Sequence, residues 1–181
     1  MSFSAIILAA GKGTRLKSDL PKPLHKVAGM PLLGWVTGAL NSAGADSIFT
    51  VISPGSQQIE SWLAGSPAII QEPQNGTGHA AQLALAGSAP KGTVLILAGD
   101  TPLLSGDSLA QFVAAHTSGK FAASVLTAEH PDPTGYGRII RDDNDELLRI
   151  VEEKDATDDE KFIYEINSGV YAFDGEKLAA S

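Results

Sequence analysis

The stretch "AIILAAGKGTRLKSDLPKPLHKVAG" (residues 5–29) decides how the rest of the chain is read. Six apolar residues, 5–10, give way to a loop with glycine at 11 and 13 and basic side chains at Lys12, Arg15, Lys17, Lys22 and Lys26. A short, unbroken apolar run reads as a strand covered on both faces, the kind that builds parallel sheets. The loop behind it is cationic, although the 181-residue chain carries a formal net charge of −8. Ligands of such sheets gather beyond the carboxyl ends of the strands, so this loop lies where an anion would be bound.

Further apolar runs follow at 47–53 (SIFTVIS), 68–71 (AIIQ), 93–100 (TVLILAGD) and 121–129 (FAASVLTAE). Helical patterns alternate with them. Residues 31–44 place Leu32, Leu33, Trp35, Val36, Ala39 and Leu40 on one broad stripe, with Gly44 as the stop. Residues 56–65 form a shorter helix closed by Gly65, and residues 77–89 begin at a capping Thr77 or Gly78. The last, 105–119, takes Ser105 as N-cap and has Gly119 beyond its end. Strand–helix–strand repetition predicts an α/β fold with three layers and a mostly parallel sheet. After about residue 130 the pattern changes: 137–153 reads as a hairpin around an Asp-Asn-Asp turn, and 165–178 as a strand running into a helix. The whole chain, 1–181, reads as one domain, expected to be truncated at its C-terminus because it stops in the start of that helix.

Composition narrows the function. Hydrophobic residues at 43% and charged residues at 19% fit a soluble globular domain with a substantial core. The acidic balance disfavours nucleic acid and anionic membranes as partners. There is no cysteine, which excludes disulfides, thiolate catalysis and Cys-ligated zinc and fits a reducing cytoplasm. No signal-peptide pattern is read at the N-terminus, and no apolar run is long enough to span a bilayer.

Four groups of residues carry candidate chemistry. Gly11 and Gly13 allow positive φ and close backbone approach, so amide N–H groups can cradle an anion beside Lys12, Arg15 and Lys22. The spacing is neither that of a P-loop nor that of a dinucleotide fingerprint, and the same residue types also fit a solvated surface loop. Asp100, ending "ILAGD" (96–100), is placed either to hold Mg²⁺ for a polyphosphate or to make a turn. "QEPQNGTGHA" (71–80) offers Gln71 and Gln74 for reading a base edge and Gly76-Thr77 as a helix start that can aim amides at a ligand. His79, in the first turn, reads as structural. In "PTGYGRI" (133–139), "IVEEKDA" (150–156) and "EINSGVY" (165–171), Gly137 permits close approach, while Glu152 and Asn167 can bond sugar hydroxyls or an N-acetyl amide. They are equally ordinary polar residues of a hairpin and strand.

In this order the motifs resemble a known family. "LAAGKGTRL" (8–16) with the following Pro-Lys is similar to the signature of sugar nucleotidyltransferases. "GTGHA", "GDTPLL", "PTGYGRI", "VEEKDAT" and "EINSGVY" narrow the resemblance, over residues 4–175, to the N-terminal domain of the bifunctional N-acetylglucosamine-1-phosphate uridylyltransferase/glucosamine-1-phosphate acetyltransferases, the GlmU family. The resemblance implies a Rossmann-like, GT-A-like mixed sheet and transfer of a uridylyl group from UTP to N-acetylglucosamine 1-phosphate. The products are UDP-N-acetylglucosamine, a cell-envelope precursor, and pyrophosphate. It implies that Leu8, Ala9, Ala10, Gly11 and Gly13 face the nucleotide, with Gln71, Gln74, Gly76 and Thr77 on its base side. Arg15 and Lys22 are the matching catalytic cations, Asp100 the Mg²⁺ ligand, and Gly137, Glu152, Asn167 and Thr134 the sugar side. Ala98 departs from the tyrosine common at that place in the family. Full-length members are expected to be cytoplasmic homotrimers through a β-helix acetyltransferase domain that this chain lacks, which leaves a monomer open here. Three alternatives stand beside this reading: another sugar phosphate, CTP as donor, or a nucleotide-binding fragment without turnover. The glycine spacing, and "VISPGS" (51–56) with no acidic residue, speak against a Rossmann oxidoreductase.

Overall fold

Strand β1 (Phe3–Leu8) lies in the middle of the sheet, and its Ala5, Ile6 and Ile7 are fully buried. In the computed structural model, which describes residues 2–11, 13, 16–88 and 92–179, β1 pairs in parallel with β4 (Ser47–Ile52) on one side and β6 (Thr93–Ala98) on the other. Strand β5 (Ala68–Ile70) extends the parallel set beyond β4. The last residues of β10 (Glu165–Asp174) run antiparallel along β6, from Tyr171 opposite Ile96 to Asp174 opposite Thr93.

Alternation along β1 explains why the run is apolar throughout. Ile6 packs with Val51, Val94 and Ile96 against Ala80 and Ala84 of α3 (Gly76–Ser88). Ile7 points the other way, toward Leu33 of α1 (Leu32–Ser42): a methyl at Gly99 would touch both. Helix α1 packs against α4 (Gly106–Gly119) on that face. With both faces covered, no strand position is left for a polar alternation. The fold is therefore the expected three-layer, mostly parallel α/β sheet.

Two compact units divide the chain: residues 1–124 with 171–181, and residues 125–170. The first holds the parallel strands, with α1, α3, α4, α2 (Gln57–Leu63) and the terminal α5 (Gly175–Ala179). It also holds a feature the pattern did not predict. After a 3-10 turn at Lys22–Leu24, β2 (Lys26–Val27) and β3 (Met30–Pro31) form a hairpin with Ala28 and Gly29 at φ 51° and 85°. Positive φ at both central residues matches the twist of paired strands. The Trp35 indole N–H donates to Val27 O at 2.9 Å, so α1 holds this hairpin.

The second unit holds β8 (Arg138–Arg141) and β9 (Leu147–Val151), the expected hairpin. At its turn Asp142 Oδ1 accepts from the amides of Asn144 and Glu146 at 2.9 and 3.0 Å. Ile166 of β10 pairs antiparallel with Arg138 of β8, and most of β7 (Ala123–Glu129) belongs to this unit.

Local boundaries differ from the pattern in four places. β1 stops at Leu8, although Ala9 N still donates to Val51 O of the neighbouring strand. Ala64, ahead of Gly65, takes the first left-handed position after α2. Helix α4 includes Gly119 and ends on left-handed Lys120, whose amide reaches the His116 carbonyl. α3 starts at Gly76 itself, ahead of both expected caps, Thr77 and Gly78. Ser105 does cap α4, its Oγ accepting from Ser108 N at 3.1 Å.

Two stability predictions follow from this packing. A Cβ on Gly106 would lie 2.6 Å from Ser42 Cβ and 3.1 Å from the Ala39 carbonyl, atoms fixed to the backbone of α1. Gly106→Ala is expected to cost about 1–3 kcal/mol, the usual penalty of overpacking, read as a lower urea midpoint. His116 is 3% exposed and shares a 2.8 Å hydrogen bond with Ser124 Oγ. Burial pushes its titration below the ordinary 6.5, partly opposed by Asp174. The unfolded chain then binds the proton at higher pH than the folded one. The contribution is complete above pH 6.5 and is lost as pH falls below it. The melting temperature is expected to decline through this range, and His116→Gln to flatten the decline.

Candidate active site

The parallel pairing of β1 and β6 ends with Leu8 opposite Ala98, and Gly99 N donates to Leu8 O at 3.0 Å. Both following loops therefore leave the sheet at one edge. Gly99 has little room for a side chain: its Cβ would lie 3.1 Å from Ile7 Cγ2 and 3.4 Å from Ala9 Cβ. Asp100 comes next, with its carboxylate 25% exposed and ion-paired to Lys22 Nζ. Lys22 opens the 3-10 turn between Pro21 and Pro23, which hold its backbone. Gly13, at φ 56°, passes so close that a Cβ would stand 2.9 Å from Lys22 Cβ. Glycine is needed there for both the left-handed backbone and the approach.

Segment 71–76 is tied to the same edge. Gln71 is buried, its N–H donates to Ile52 O, and its Nε2 donates to Gly76 O at 2.8 Å. Gln74 Nε2 donates to Ala10 O at 3.0 Å, which joins the end of β1 to the start of α3. The two glutamines thus each commit an amide donor to a backbone carbonyl. A cleft of about 410 Å³ opens beside them, lined by Ser53, Pro54, Gln71, Glu72, Pro73 and Gln74. Ala9 and Ala10 are buried, Gly11 is exposed, and Thr77 is exposed in the first turn of α3. His79 Nδ1 is buried without a hydrogen-bond partner among the described residues. Lys12 and Arg15 lie outside the described residues.

In the second unit the strand register assembles the other candidates. Arg138 pairs with Val151 on one side and Ile166 on the other, both antiparallel. One residue back, Gly137 must then face Glu152 and Asn167, and it does. Asn167 N donates to Gly137 O at 2.8 Å, and a Cβ on Gly137 would lie 3.3 Å from Glu152 Oε1 and 3.5 Å from Asn167 Cβ. The missing side chain leaves a notch flanked by a carboxylate and an amide. Asn167 Oδ1 also accepts from Gly169 N at 2.9 Å. Thr134 sits in the turn before, its amide donating to Asp132 Oδ1 at 3.2 Å.

Two functional contacts were missed in the sequence. Nothing in the spacing signals that Lys22 and Asp100 pair, because the register of β1 and β6 brings them together. Arg138, to which the sequence attaches no role, is 1% exposed.

A parallel α/β edge that brings Lys22 and the Asp100 carboxylate together beside a glycine-bearing loop is suited to phosphates, and comparison with known proteins gives the class as nucleotidyltransferase. The chain belongs to the MobA-like NTP transferase domain family, whose model matches residues 5–163. It is 48% identical over 179 residues to "Bifunctional protein GlmU" of Alkaliphilus metalliredigens, covering 98% of this chain and 39% of that protein. The chain thus spans about two fifths of the curated relatives it matches. Among solved structures, a Bacillus anthracis protein assigned as a glucose-1-phosphate thymidylyltransferase superposes with a TM-score of 0.81 at 20% identity, covering 98% of this chain and 73% of that one. HddC from Yersinia pseudotuberculosis gives 0.77 at 26% identity, covering 98% and 79%. The resemblance carried by the ordered motifs is therefore upheld over nearly the whole chain.

Proposed function

We propose that this chain transfers a uridylyl group from UTP to N-acetylglucosamine 1-phosphate. The observation that carries the proposal is the 48% identity to a GlmU protein over 98% of the chain. An oxygen of the sugar phosphate attacks the α-phosphorus of UTP in line, the bond to the bridging oxygen breaks, and pyrophosphate leaves. The nucleophile is already an anion, so no strong general base is needed. The work is to gather anions, align them and offset charge on the phosphoryl oxygens.

The residues divide that work. Leu8, Ala9, Ala10, Gly11 and Gly13 supply the backbone cradle for the nucleotide. Gln71, Gln74, Gly76 and Thr77 serve its base side, and Gln74 holds the cradle through Ala10 O. Arg15 and Lys22 offset phosphate charge. Gly137, Glu152 and Asn167 take the sugar, Gly137 permitting close approach to its backbone and the two side chains bonding the sugar's polar groups.

Mg²⁺ is tested by the donor set. No group of three His, Cys, Asp or Glu that could hold a metal occurs among the described residues, and Asp100 is a single, partly exposed carboxylate. That suits an ion held by one carboxylate and completed by substrate phosphates. Such an ion would supply charge neutralisation at the transferred phosphoryl group and the leaving pyrophosphate. Asp100 would hold it, and Lys22, now paired with Asp100, would turn to the phosphates.

No helix among the described residues is long and apolar enough to cross a membrane.

Pyrophosphate release with a panel of NTPs and sugar 1-phosphates, with and without Mg²⁺, tests the reading. Turnover with UTP and N-acetylglucosamine 1-phosphate supports it. Preference for another pair overturns the substrate, and UTP binding without turnover makes the chain a nucleotide-binding fragment. Arg15→Ala and Lys22→Ala are each expected to lower kcat about 10²–10³-fold, the scale of losing one preorganised donor, while leaving the melting temperature nearly unchanged. Near-normal turnover in either variant removes the role assigned to that residue.

A further inference from the structure

We propose that Arg138 and Glu153 are positioning residues that hold Gly137, Glu152 and Asn167 in place from the opposite face of their strands, a role that rests on assigning those three residues to the sugar phosphate. Alternation places Arg138, Val151 and Ile166 on one face, with Ile150 and Asn167 on the other, and Glu153, in the turn after β9, is brought to the Arg138 side by its ion pair. The Gly137 contacts agree: its missing Cβ would meet Ile150, Glu152 and Asn167.

The guanidinium of Arg138 gathers three separate segments. It donates to the Tyr136 carbonyl, to Glu153 Oε2 at 2.7 Å and to the Lys161 carbonyl at 3.5 Å. Glu153 Oε2 also accepts from Gly135 N at 3.1 Å. Residues 135–136 lead into Gly137, Glu153 follows Glu152, and the 3-10 turn at Glu160–Phe162 leads into the strand that carries Asn167. Each of the three sugar-side residues therefore has its adjoining segment fastened to one side chain.

Stability alone does not account for this arrangement. A guanidinium 1% exposed carries a large desolvation cost, and its Nε is buried with no hydrogen-bond partner among the described residues. Well-packed apolar side chains commonly replace such a pair with no loss of stability. An apolar side chain cannot fasten two carbonyls and a carboxylate at once. Hydrogen bonds from Arg138, then from the Gly135 amide, hold the Glu153 carboxyl below its usual range.

Glu153→Gln tests the proposal with small risk to folding, because the Glu153 side chain is one-third exposed. Loss of the charged partner is expected to raise KM for N-acetylglucosamine 1-phosphate about tenfold, the scale of one charge-assisted hydrogen bond, with KM for UTP within about twofold. Arg138→Lys keeps the charge but not the fork and is expected to rescue little of the sugar KM. Hydrogen exchange at the Asn167 amide, which donates to Gly137 O, is expected to speed up in Glu153→Gln while the amides of β1 and β6 are unchanged. Wild-type turnover with an unchanged sugar KM in Glu153→Gln overturns the positioning role, as do equal rises for both substrates. Absence of wild-type turnover with N-acetylglucosamine 1-phosphate instead defeats the functional reading. In that case the positioning is decided by exchange at Asn167, and an unchanged rate overturns it.

Discussion

Parallel pairing of β1 with β6 is the constraint on which the nucleotide side of the molecule depends. Two strands separated by more than eighty residues end in register, Leu8 beside Ala98, and the Gly99 amide closes the ladder on Leu8 O. The direction of pairing matters as much as the contact. Had β6 run antiparallel, Asp100 would leave at the opposite edge from the loop that carries Lys22. Crossover connections make the parallel arrangement, and they bring both faces of the strands under helices. The buried apolar run of β1 and the convergence of its loop with Asp100 are thus two consequences of one topology.

That topology also resolves the charge contrast. A chain of net charge −8 concentrates basic residues after its first strand. Lys22 is placed by two prolines and the close pass of Gly13, and it meets the one carboxylate that β6 delivers. The pair is partly exposed, so it adds little to stability. In the proposed reaction its value is positional, because a cation and a carboxylate held at one edge are the two groups a polyphosphate with its counter-ion would require.

Much of the fold was legible because its signals are local and one-dimensional. Continuous apolar runs marked β1, β4, β5 and β6, and the Ser105 cap of α4 stands where its side-chain chemistry put it. Boundaries were less legible. Ala64 and Lys120 hold left-handed positions that pattern reading gives to glycine, since tertiary packing can impose that backbone on other residues at a modest cost. The small β2–β3 hairpin escaped because two-residue strands carry no period. The candidate sites divide in the same way. Glycines and Asp100 were visible as residue types after strands, whereas the Lys22–Asp100 pair and the burial of Arg138 come from strand pairing, which no local window contains.

The two halves of the chain also place functional groups by different physical means. In the parallel unit the candidate groups lie on loops, so their geometry depends on side-chain ties such as Gln74 to Ala10 O and on glycines that admit close passes. In the 125–170 unit they lie on or next to strands, where antiparallel register fixes them: once Arg138 is opposite Val151 and Ile166, the residues across from Gly137 are Glu152 and Asn167. A one-residue slip would turn every one of those side chains to the other face. Positions at strand ends are the ones most exposed to such a slip, since the ladder stops there. A buried fork that binds the segments just beyond each strand end acts where the ladder no longer does. This explains why the least expected side chain of the core is charged and why it sits one residue from the notch.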